Sequence, residues 1–126
     1  MKYIDIQNEI IKKYGVRISA GCPLGCRVRT HAHPRLRQVC KWKPSSSLPS
    51  TFTLLHEVGH IETDRAGMRR AEQEYHATVW ALERCKEYGL EVPSALIGKY
   101  QKYIDQEKAR GLRRGGKGYA ELKLEV

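Results

Sequence analysis

The pentapeptide His56-Glu57-Val58-Gly59-His60 constrains this chain more than any other stretch. On an α-helix, residues four apart share a face and stand about 6 Å from each other. Two imidazoles placed that way can reach one Zn²⁺ at about 2.0–2.1 Å. Glu57 is turned about 100° from His56. It points away from the ion and toward a water on it, where a general base must stand. The chain has five histidines, and a chance match to this pattern has odds on the order of one in a hundred. Such a chain needs a helix here and a third donor from elsewhere, with a fourth position left open for catalysis.

The next helical stretch offers Glu72, Glu74 and His76 as third donor. Asp64 lies one turn past His60 and is expected to accept a supporting hydrogen bond or face water. Glu72 and Glu74 point about 200° apart on a helix, so only one can face the ion. His76 shares a face with Glu72, which keeps an all-histidine set open. Spacing alone leaves the choice unresolved.

The periodicity of the rest suggests how these residues are carried. Ile6, Ile10 and Tyr14 recur at helical spacing before Gly15, predicting a short amphipathic helix over 4–14. From Gly15 to Trp42, Val16 and Ile18, then Val28 and Thr30, then Val39 and Lys41 read as two or three short strands. Turns are expected at Gly21–Gly25 and His33-Pro34. The segment from Lys43 to Ser50 reads as a loop. Ser50 or Thr51 then caps a helix through Phe52, Leu55 and Val58 to about Ile61 or Thr63. A second helix is expected from about Met68 to Tyr88, ended by Gly89, with Ala71, Tyr75, Thr78, Val79 and Leu82 inward. A third starts near Pro93, shows Leu96, Tyr100, Tyr103 and Ile104, and lasts to about Arg110. Residues 108–118 read as a flexible basic segment, and 120–126 as a period-two strand.

With 126 residues and 40% hydrophobic content, one domain over 1–126 with one modest core is expected. No apolar run approaches the roughly 20 residues of a membrane span. The charged start offers no apolar signal core, so a cytoplasmic location is expected. The balance of 23 Lys+Arg against 14 Asp+Glu gives +9, a surface suited to nucleic acid, phosphates or an acidic partner protein.

Phe52-Thr53-Leu54-Leu55-His56-Glu57-Val58-Gly59-His60 resembles the "FTLAHELGH" segment of the ImmA/IrrE-type zinc metallopeptidases. Those proteins follow it with a helix reading E-x-x-A-x-x-F-A. Glu74-Tyr75-His76-Ala77-Thr78-Val79-Trp80-Ala81 is similar, with Trp80 where Phe is usual. A frame starting at Glu72 matches less well. The resemblance spans about residues 50–82 and implies His56, His60 and Glu74 as zinc ligands and Glu57 as base. It also implies a protein substrate, such as a phage or mobile-element repressor bound to DNA. The family's usual "LLMP" helix end is replaced here by Leu82-Glu83-Arg84-Cys85, and the helix-turn-helix domain that some relatives carry fused is not expected within these 126 residues.

The general chemistry of such a site needs a donor for the oxyanion besides zinc. Tyr75, His76, Tyr100 and Tyr103 are the candidates. The strand at about Gln38–Trp42 is the expected edge for pairing with an extended peptide.

Cys22, Cys26, His31, His33 and Cys40 form a second group of soft donors. Zinc sites more often open with a two-residue spacing than with the three found between Cys22 and Cys26. Reduced thiols in a hairpin core, beside surface histidines, are therefore expected there instead of a second, structural zinc. Cys85 reads as a core thiol. Lys108, Arg110, Arg113, Arg114 and Lys117 could grip phosphate but read as a solvated run.

Together these features point to an α+β, zincin-like domain: a short antiparallel sheet packed on the HExxH helix and two further helices. The expected function is zinc-dependent hydrolysis of a peptide bond in a protein. The rival is a basic, non-enzymatic zinc module contacting nucleic acid or a partner protein. A structural zinc has no use for Glu57, whereas hydrolysis does.

Overall fold

The structure is a computed structural model that describes residues 2–21, 30–64, 67–116, 118–119 and 121–125. Cys22, Cys26, Val28, Lys117, Ala120 and Val126 lie outside the described residues, as do the expected turn after Gly21 and part of the break at Arg65. In chain order the elements are α1 (Tyr3–Tyr14), β1 (Arg17–Ser19), β2 (His31–His33), β3 (Gln38–Cys40), α2 (Leu48–Glu62), α3 (Arg70–Glu87) and α4 (Ser94–Arg113). This is a small α+β fold with a short mixed sheet against helices, the HExxH helix being flanked by others. None of the described helices is long and apolar enough to cross a membrane.

α1 buries Ile6, Gln7 and Ile10, and Gly15 ends it at φ +60, a conformation that costs glycine little. The buried Gln7 amide donates to the Ser45 carbonyl and the Thr51 hydroxyl, both at 2.8 Å. It thereby ties α1 to the start of α2. That start falls earlier than Ser50. Ser47 accepts from the Ser50 N–H at 3.3 Å, and Pro49 sits in the first turn, where a missing N–H costs nothing. A proline read as a loop signal is thus a helix-start signal here.

The sheet is mixed, which corrects the antiparallel expectation. β1 pairs parallel to β3, and β2 pairs antiparallel to it, in the order β1-β3-β2. Val39 and Cys40 are fully buried, so β3 takes the centre, where both its edges are paired. The edge toward α2 is therefore β2, not Gln38–Trp42. The C-terminal residues do not form a strand among those described. Leu122 and Leu124 are buried, but their main chain pairs with the Gln101 side chain, at 3.0 and 2.8 Å. α4 runs on to Arg113, so Lys108, Arg110 and Arg113 are helical, with Arg110 paired to Glu107 at 3.2 Å. Helix-forming side chains outweigh the single Gly111 in that turn.

Phe52, Leu54, Leu55 and Val58 of α2 are fully buried, so α2 is the central element of the core. α3 buries Ala71, Glu74, Ala77, Thr78, Ala81 and Cys85. Its small residues let it lie close against α2. The tightest approach is at Gly59, where an added Cβ would stand 2.6 Å from the Ala77 carbonyl oxygen. That oxygen is backbone and cannot swing aside. Gly59→Ala is expected to force α2 and α3 apart, at a cost of about 1–3 kcal/mol. It should lower the thermal midpoint and weaken metal binding together. An unchanged midpoint would show that the helices do not meet there.

Candidate metal centre

Three acceptor atoms meet where α2 faces α3. His56 Nε2 lies 3.2 Å from His60 Nε2, and Glu74 Oε2 lies 2.9 Å from the first and 3.3 Å from the second. Donors on a tetrahedral ion with bonds of 2.0–2.1 Å stand roughly 3.3 Å apart. The three atoms therefore already have the spacing of three corners around one ion. The group is well covered: His56, Glu57 and Glu74 are buried, and the His60 side chain is 13% exposed.

Hydrogen bonding around the group sets its protonation. The single proton of the Thr78 hydroxyl goes to the Glu74 carbonyl at 2.7 Å. Thr78 is then an acceptor for His56 Nδ1, 3.2 Å away. Such a bond places the His56 proton on Nδ1 and turns the Nε2 lone pair toward Glu74 and His60. Burial, partly opposed by the Glu74 hydrogen bond, lowers the His56 pKa and favours that neutral ring. Burial works against ionisation of Glu74, but where the imidazoles turn Nε2–H groups to it, those hydrogen bonds outweigh burial and hold the carboxyl well below its usual range; a cation at the three atoms would take the place of those protons. Two imidazole nitrogens and a carboxylate oxygen this close need positive charge between them, a proton or a metal cation.

Glu57 stands beside this group, and its carboxylate lies within 4.8 Å of the two imidazole donors. A buried His56-Glu57-x-x-His60 set able to chelate a metal ion is thus present. Burial, reinforced by the Glu74 charge and opposed by Arg70, pushes the Glu57 pKa up to about 8. A divalent cation at the histidines would add opposite charge and draw it back down.

The alternative donors are elsewhere. Glu72 accepts from Arg69 Nε at 3.0 Å and from the Arg69 N–H at 3.3 Å, at the start of α3. The hydrogen bond from Arg69 lowers its pKa. His76 is exposed and packs edge-on against Tyr75, with ring centroids 5.3 Å apart. Asp64 is exposed at the rim. Of the three carboxylate and histidine candidates on α3, only Glu74 reaches His56 and His60.

Two supporting residues escaped the sequence reading. Arg70 Nη2 holds Glu74 Oε1 at 2.9 Å and leaves Oε2 for the histidines. Thr78 orients His56. Both lie four residues from Glu74, so the spacing that marks helix neighbours was available as a signal.

The group opens into a cleft of about 470 Å³, bordered by α2, α3, α4 and the edge strand β2. Tyr100 and Tyr103 line it from α4. The Tyr100 ring lies 4.8 Å from that of His56 and 4.9 Å from that of Phe52. Burial is the main cause that pushes its pKa up to about 12, so its hydroxyl keeps its proton and stays a donor. Tyr75 and His76 are not among the lining residues. No family model, curated protein or solved structure matches the chain.

Proposed function

We propose that the chain is a zinc-dependent endopeptidase with His56, His60 and Glu74 as ligands and Glu57 as general base. One observation carries this reading: three acceptor atoms at metal-ligand spacing, with a buried carboxylate beside them, at the floor of an open cleft. When bound there, zinc would lower the pKa of a coordinated water toward neutrality and polarise a carbonyl. Glu57 would accept the water's proton and return it to the leaving amine. The Tyr100 hydroxyl would donate to the developing oxyanion. Arg70 and Thr78 would hold Glu74 and His56 in place.

The proposed substrate is an extended segment of a protein. β2 is the edge strand at the cleft and offers main-chain groups for pairing with such a segment. The ImmA/IrrE resemblance favours a DNA-bound phage or mobile-element repressor in the cytoplasm. The +9 charge would draw the enzyme toward such nucleoprotein.

The test is cleavage of an unfolded protein, such as reduced casein, by the zinc-loaded chain. Activity should vanish with a zinc chelator and return when zinc is added back. Cleavage that persists in chelator would refute a zinc mechanism.

A further inference from the structure

We propose that His31, His33 and Cys40 form a second metal site, separate from the His56 centre, which takes a zinc-class divalent cation and fastens the β2–β3 hairpin. The ligand atoms of these three residues all lie within 4.8 Å of one another. The sequence reading favoured thiols there because it weighed the Cys22–Cys26 spacing. Strand pairing makes a different grouping.

The geometry follows from the period of a β-strand. His31 and His33 are two apart on β2, so both side chains leave the same face. Their ring centroids are 4.9 Å apart. Cys40 is the cross-strand partner of His31 in the antiparallel pair, so it leaves that face too. Ala32 and Val39, also paired, take the other face, with Val39 in the hydrophobic core and Ala32 packed against it. The hairpin thus sorts its side chains, Ala32 and Val39 on one face and His31, His33 and Cys40 on the other. Cys40 is nonetheless fully buried, while both histidines are half-buried.

Two imidazoles and a thiolate are a donor set that suits zinc over magnesium or calcium. Donors on a tetrahedral ion with bonds of 2.0–2.3 Å stand roughly 3.3–3.8 Å apart. Small side-chain rotations would close the group from its present spacing. Three protein donors leave a fourth position, which water can take. The Cys40 thiol would give up its proton to solvent as the ion binds.

The fold has a use for such a clip. Each strand of the sheet has three residues, and short strands are marginal unless held by other means. The same hairpin supplies His31, Ala32 and Pro34 to the cleft wall. An ion across β2 and β3 would hold that wall in register without entering the chemistry at Glu57. This inference stands apart from the peptidase reading, since it holds or fails whatever the first centre does.

Cobalt(II) titration of the chelator-treated 126-residue chain separates the two sites. A thiolate on cobalt gives a charge-transfer absorption in the near ultraviolet, and the His56, His60, Glu74 group contains no sulfur. The absorption is expected in the wild type and in His56→Ala. It should be lost in Cys40→Ser, and His33→Ala should weaken cobalt binding at this site by at least about tenfold. Circular dichroism checks that each variant is folded. If Cys40→Ser does not fold, His33→Ala decides alone, because its side chain is only half-buried. No thiolate absorption in the wild type, or unchanged absorption and affinity in folded His33→Ala, would overturn the proposal.

Discussion

Glu57→Gln is expected to keep its metal and its fold and to lose about 10²–10⁴-fold in peptide hydrolysis. Glu57 is nearly isosteric with glutamine, and it lies beside the histidine donors without belonging to the three atoms at ligand spacing. The amide can fill the same buried space and accept a hydrogen bond, but it cannot carry a proton from water to the leaving amine. Burying a neutral amide in place of a carboxyl also avoids the cost that raises the Glu57 pKa to about 8. Thermal stability without metal should therefore not fall. The measurement is cleavage rate and metal content for wild type and variant in parallel. Equal cleavage by both would remove Glu57 from the mechanism, and loss of metal from Glu57→Gln would make it a ligand instead.

Glu74→Ala is expected to abolish stable metal binding at the His56 centre, whereas Glu72→Ala should leave it intact. Glu74 Oε2 supplies the only negative charge among the three converging donors. Losing a group that merely supports a ligand typically weakens metal affinity by about 10–100-fold. Losing the ligand itself should exceed that. Glu72, by contrast, spends its carboxylate on Arg69 and is a third exposed. Metal analysis of the two purified variants after dialysis separates them. Retention of metal by Glu74→Ala together with loss from Glu72→Ala would place the ligand set in the other frame. Arg70 and the two histidines surround Glu74, so its removal also leaves Arg70 without its buried partner.

The contrast between Glu72 and Glu74 shows where reading along the chain stopped. Both carboxylates lie in one helix, two residues apart, and helical geometry says only that they face opposite ways. Which one faces α2 depends on how α3 is rotated about its own axis. That rotation is set by contacts between α3 and residues distant from it in the chain. Ala77 must meet Gly59, and Ala71, Ala81 and Cys85 must enter the core. Arg69 meanwhile takes up Glu72 at the helix start.

The sheet shows the same limit. Alternating residues marked Val39 and its neighbours as strand, but alternation carries no information about which strand lies between which. Tertiary packing put β3 in the middle, because Val39 and Cys40 are both fully buried, and left β2 as the edge beside the cleft. His31, His33 and Cys40 became neighbours for that reason alone. The helix start at Ser47 and the Gln101 bridge to Leu122 and Leu124 were likewise hidden, since each depends on a partner distant in space or on one hydrogen bond.

What the sequence determined by itself was local. It set a helix carrying His56 and His60 four apart, a carboxylate between them, an amphipathic α1 ended by Gly15, and α3 and α4 ended or begun by Gly89 and Pro93. These follow from periodicity and from backbone preferences that act within a few residues. Only the tertiary structure decided that Glu74 Oε2 stands within 3.3 Å of both imidazoles, that Arg70 holds Glu74 and Thr78 holds His56, and that β2 and Tyr100 border the cleft. Each of those is a distance between residues far apart in the chain, and such distances are set by how the core packs.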